Sequence, residues 1–259
     1  MKSPIIIFML FIAGICKVMA QENDTDWSSP SIDSCVQSKT YFYNAPYSGF
    51  VIPAVFVSYG LLAHNQKWMR QPDVKIDREV SRHFTRKIHA DDYIQYVSAV
   101  AVFGVDLMGA KAKHNLRDRA FLMASSYIIS SASTHAIKRI SHVRRPDESD
   151  ILSFPSGHTA TAFVGAHLLF KEYKDVSPWI GIAGYAVACG TGAIRIYNRR
   201  HWFSDVVAGA GFGMLSVEIS YVMLPVFHHL TGVNDDRTSL AIVPVIGVNN
   251  FGVGIACTF

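Results

Sequence analysis

Six apolar stretches of helical length recur along the chain, at Phe50 to Ala63, Tyr93 to Ala110, Phe121 to Ile137, Thr159 to Phe170, Trp179 to Ile194 and Val206 to Leu230. Runs of this length favour helices over strands, so the expected fold class is all-α, a bundle of six helices. None of them reads as an unambiguous membrane span, since each is short or interrupted: Asp106 lies in the second, serines and His135 in the third, Glu218 in the last. Such groups are costly in hydrocarbon and belong in a bundle interior or at a polar site. The chain is 50% hydrophobic and only 17% charged, below the roughly 25% charge of an ordinary soluble chain. A membrane or a deeply buried helical bundle fits that balance. Gly209 and Gly213 stand four apart in the last stretch, and small residues at that spacing let helices approach closely.

The flanks differ in character. Lys2, the apolar run Pro4 to Gly14 and then Val18-Met19-Ala20 before polar Gln21 read as a secretory signal peptide, residues 1–20, cleaved after Ala20. The run falls short of the roughly 20 residues that a membrane span needs. Residues 21–47 read as an exposed polar arm, 48–232 as the helical domain and 233–259 as a tail. Within the tail, Leu240 to Phe259 reads as two short strands turning at Asn249-Asn250, a β-hairpin. Cleavage would leave Cys35, Cys189 and Cys257, whose spacing suits neither a disulfide framework nor a zinc site. The net charge of +4 argues against a nucleic-acid partner and favours an anionic substrate or anionic headgroups. The basic stretch Lys67 to Lys87 fits a bilayer surface or a solvated connector equally well.

Three clusters of anion-binding residues fall at helix ends. The first is Lys138 with Arg145-Pro146, the second Pro155-Ser156-Gly157-His158, the third Arg195 followed by His201 and Asp205. Arginine supplies a planar fork of donors and lysine a point charge, the means by which a phosphoryl group is held. Gly157 lets the backbone approach a bound anion, and Ser156 adds a hydroxyl where a helix begins, itself an anion site. His158 stands at the same terminus, placed to protonate a departing oxygen. Asp205 follows His201 by four residues, so its carboxylate is expected to accept one imidazole N–H and leave the other nitrogen bare for attack. Asp91-Asp92, before the second apolar stretch, read as helix-start acids rather than as paired catalytic carboxylates.

These residues closely resemble the signature of the type 2 phosphatidic acid phosphatase superfamily: lysine, six residues, Arg-Pro; then Pro-Ser-Gly-His; then Ser-Arg, five residues, His, three residues, Asp. All three parts occur here in order, except that Ile194 takes the place of the serine, and only Asp147 to Phe154 separate the first two parts. The resemblance implies a six-helix bundle, with phosphate held by Lys138, Arg145, Ser156, Gly157 and Arg195. It implies catalysis by His201, His158 and Asp205 through a phosphohistidine, without a metal or other cofactor. The implied substrate is a phosphorylated lipid or a small phosphate ester. The implied location is the bacterial cell envelope, the protein being exported and either membrane-associated or periplasmic. A broad-specificity periplasmic acid phosphatase, a vanadium-dependent haloperoxidase using the same oxyanion cradle, and a non-catalytic envelope scaffold are the alternative readings.

Overall fold

The computed structural model describes residues 48–83, 87–231, 239–246 and 251–258. The expected signal peptide, the polar arm and the Asn249-Asn250 turn lie outside these residues. Eight helices occur among them: α1 (Ser48–Asn65), α2 (Gln71–His83), α3 (Asp91–Ile94), α4 (Val97–Leu107), α5 (Leu116–Ser141), α6 (Gly157–Tyr173), α7 (Pro178–Tyr197) and α8 (Phe203–Thr231). In the tail, β1 (Ser239–Ile246) and β2 (Phe251–Thr258) pair antiparallel, in a register running from Ser239 opposite Thr258 to Ile246 opposite Phe251.

The expected class, a six-helix bundle with a short C-terminal β-hairpin, is corrected: the fold is an all-α bundle of eight helices among the described residues, and the tail strands do not enter its fold class. Two local causes raise the number. The basic connector is itself helical, as α2, with a short, partly buried apolar row at Pro72, Ile76 and Val80; its charged residues outnumber that row, and among its residues only Asp73 is buried. The second apolar stretch divides into α3 and α4 at Gln95-Tyr96. There the Gln95 side-chain amide donates to the Asp92 carbonyl at 2.8 Å, an acceptor that continued helix would need.

Helix ends carry recognisable signals. The Asn115 side chain caps α5 by accepting from Asp118 N–H at 2.9 Å, and His142 ends the helix in the left-handed region at φ 48°, a position open to few residues besides glycine and asparagine. Pro178 opens α7, where its missing N–H costs nothing. Asp205, in the first turn of α8, accepts from Trp202 N–H at 2.9 Å, one half of a capping box.

The core lies between α6 and α8. Leu122, Val164, Leu168, Val217 and Leu224 form one cluster; Phe163, Ala166, Ala188, Ala210 and Met214 form another. Among the described residues three helices, α1, α7 and α8, are long and apolar enough to cross a membrane. The outer faces of α1 and α7 present Val51, Ile52, Val55, Trp179 and Ile182, as a lipid-facing surface would. These helices place the chain at a membrane, in accord with the envelope location expected from its sequence.

One close approach fixes the height of α8 against the start of α6. A Cβ on Gly209 would stand 2.5 Å from the Ser156 carbonyl oxygen, and backbone cannot yield as a side-chain tip can. Gly209→Ala is therefore expected to cost about 1–3 kcal/mol through overpacking, read as a lower unfolding temperature. An unchanged temperature would show that the approach is looser than described.

Candidate active site

One end of the bundle gathers the C-termini of α1, α5 and α7, the N-termini of α6 and α8, and the short α3. The segments between α5 and α6 and between α7 and α8 meet there through Asp147 N–H to the Arg199 carbonyl at 3.1 Å, Arg199 Nη2 to the Pro146 carbonyl at 3.0 Å and Trp202 Nε1 to the Arg144 carbonyl at 2.8 Å. On the outer side, Asp73 of α2 accepts from both the N–H and the hydroxyl of Ser204, at 2.8 and 2.7 Å. Asp77 grips Arg199 at 2.7 Å. The polar helix α2 thus braces the strip that carries His201.

His201 is buried, and its Nδ1 lies 2.8 Å from the Ser153 carbonyl. A carbonyl only accepts, so Nδ1 carries the proton and Nε2 is left with its lone pair. The expected orienter differs: the Asp205 carboxylate stands 3.7 Å from Nδ1, an ion-pair distance beyond hydrogen bonding. Asp205 is committed elsewhere, accepting from the Ser153 hydroxyl at 2.5 Å and from His64 Nε2 at 3.2 Å as well as from Trp202. Ser153 therefore links the pair, its carbonyl on His201 and its hydroxyl on Asp205. Burial holds the His201 imidazole down to about 4, aided by Lys138 and Arg195 and opposed by Asp205. It is neutral at ordinary pH.

Lys138, in the last turn of α5, donates to the Leu152 carbonyl at 2.7 Å. Burial and the neighbouring Arg145 bring its amine down to about 8. Arg145 lies 3.5 Å from Asp150, and Arg195 pairs with Asp91 at 2.5 Å. Among the described residues the Nε–H groups of both arginines are buried without a partner, a cost of about 1–3 kcal/mol each unless an acceptor arrives. Ser156 is buried, with its hydroxyl 2.9 Å from that of Thr159, and it does not cap α6. The first N–H groups of α6 are left without a side-chain cap, and the space where a Gly157 Cβ would point is open to at least 4 Å.

His158, in the first turn of α6, contacts Asp92 through Nε2 at 2.9 Å. Burial and Arg195 lower its imidazole below the ordinary value, against the pull of Asp92 and Asp91. Asp91, Asp92 and His158 bring potential ligand atoms within 4.8 Å of one another, and in the structure they are engaged in ion pairs, Asp91 with Arg195 and Asp92 with His158.

All eight residues singled out from the sequence lie at this end of the bundle. Sequence reasoning missed Ser153, His64 and Asp73, and it misjudged Asp91 and Asp92: α3 has no side-chain cap bond, and both carboxylates turn to the site instead. Only the adjacency of the two aspartates was visible beforehand. His64 and Ser153 carry no local signal.

An all-α bundle thus gathers three cations, an uncapped helix start and a buried neutral histidine at one end. Residues 119–228 match the PAP2 superfamily. Across 91 residues, 35% of this chain, it is 50% identical to the Lipid A 1-phosphatase of Porphyromonas gingivalis. The match spans 20% of that protein's length. Among solved structures, a transmembrane PAP2-type phosphatidylglycerolphosphate phosphatase from Bacillus subtilis aligns with a TM-score of 0.48 at 20% identity, over 74% of this chain and 100% of that one.

Proposed function

We propose that the chain is a metal-independent phosphatase that hydrolyses phosphate monoesters of membrane lipids, of the phosphatidate, phosphatidylglycerophosphate, lipid A or undecaprenyl diphosphate type. The observation that carries this reading is the pair of buried, partnerless Nε–H donors on Arg145 and Arg195, set with Lys138 and the open start of α6 near a neutral His201. Such a set suits three phosphoryl oxygens, held by Arg forks, a Lys charge and backbone N–H groups. Nε2 of His201 attacks phosphorus as the ester P–O bond breaks. The departing oxygen takes its electron pair and receives a proton from His158. Water then attacks the phosphohistidine, returning inorganic phosphate and free imidazole. The three fixed cations carry the charge stabilisation.

A lipid substrate is favoured by the three apolar helices and by a basic groove of about 480 Å³ along α2, lined by Lys67, Arg70, Gln71, Val74, Lys75 and Arg78. Arg70 also stacks on Trp202, 5.2 Å from the ring centre, next to His201. A groove of that charge suits phosphate headgroups at a bilayer surface.

The test is inorganic phosphate release from phosphatidate in mixed micelles, in excess chelator, across pH. His201 acts when neutral, so activity falls as pH drops through about 4. His158 acts when protonated, so activity falls as pH rises past a value below the ordinary 6.5. The expected kcat/KM profile is a bell on the acid side of neutrality that survives the chelator. Activity that requires added Mg²⁺, or that climbs through pH 8, would contradict the mechanism.

A further inference from the structure

We propose that Asp92 is the positioning residue of His158, fixing which imidazole nitrogen delivers the proton; this rests on the acid role given to His158 above. Asp92 stands on α3, a four-residue helix that is pinned from both sides. Its neighbour Asp91 is buried against Arg195 at 2.5 Å, and its own carbonyl accepts from the Gln95 amide at 2.8 Å. The Asp92 carboxylate is spared from capping and lies 2.9 Å from His158 Nε2.

A carboxylate can only accept, so the contact places a proton on Nε2 and leaves Nδ1 as the nitrogen that exchanges a proton with substrate. The acid form is then the imidazolium. As the P–O bond breaks, the leaving oxygen keeps the bonding pair and takes the Nδ1 proton. The imidazole that remains is neutral, with its Nε2–H still held by Asp92. The charged groups that face His158 are Asp91 and Asp92 from α3 and Arg195 from α7. Because Asp91 is already matched by Arg195, Asp92 is the carboxylate available to favour the imidazolium against burial. One short helix thereby sets both the direction of Arg195 and the protonation state of the acid.

Asp92→Asn should be compared with wild type on an alkyl phosphate and on p-nitrophenyl phosphate over the full pH range. The amide keeps the shape and removes the charge. The expected result is an alkyl-ester kcat lower by about 10-fold or more, with KM little changed and the alkaline limb of the profile moved to lower pH. The aryl ester, whose leaving group departs as an anion, should be hydrolysed at nearly the wild-type rate. Asp92→Glu should restore part of the alkyl activity, and in a His158→Ala background Asp92→Asn should cost nothing more. Equal losses on the two esters, an unmoved alkaline limb or an additive loss with His158→Ala would overturn the assignment. Failure of the phosphatase reading itself is separable, because wild type would then release no phosphate from either ester.

Discussion

Replacing His201 with alanine is expected to reduce phosphate release by about 10⁴-fold or more on every ester, while leaving helicity and unfolding temperature near wild type. Removing the attacking group of a covalent mechanism is among the largest single losses an active site shows. No neighbour can take over. The basic side chains near His201, Lys138 and Arg195, are cations at working pH, and the His64 imidazole beside Asp205 contacts the opposite carboxylate oxygen. Stability should change little: the buried imidazole donates to the Ser153 carbonyl, and that carbonyl keeps Lys138 Nζ as a donor at 3.3 Å when the imidazole is gone. Circular dichroism alongside the assay separates loss of chemistry from loss of fold.

His158→Ala should behave differently, because protonation matters only as much as the leaving oxygen needs it. General acid catalysis supplies about 10² to 10⁴ in rate. Most of that should vanish on an alkyl phosphate such as phosphatidate, whereas p-nitrophenyl phosphate should lose far less. The measurement is the ratio of kcat/KM for the two esters in each variant. A selective collapse of the alkyl reaction is the expected outcome; equal losses would reduce His158 to a phosphate ligand.

The two variants also mark what the sequence made readable. Lys138, Arg145, Ser156, Gly157, His158, Arg195, His201 and Asp205 were legible as a set because their spacings put cations, a glycine and imidazoles at helix ends, and the structure gathers them at one end of the bundle. The apolar stretches were legible for the same sort of reason, since burial requires them. What escaped notice was set by tertiary packing. Helix α2 braces the His201 strip through Asp73 and Asp77, two acids in a stretch read only for its basic residues. Asp91 and Asp92 resembled helix-start acids until Arg195 and His158 were seen beside them. The four-residue spacing of His201 and Asp205 suggested a direct bond, but Asp205 turns back to the Trp202 N–H and the Ser153 hydroxyl. The acceptor on His201 is then a carbonyl 48 residues upstream, which no helical periodicity could indicate.

The phosphoenzyme itself tests the central claim most directly. A phosphoramidate survives base and falls apart in acid, so His158→Ala turning over p-nitrophenyl phosphate should be quenched in alkaline denaturant, digested and read by mass spectrometry. The expected result is a phosphoryl group on the peptide that carries His201, absent from His201→Ala treated in the same way. Phosphate on any other residue, or turnover by His201→Ala at a rate near that of wild type, would contradict it.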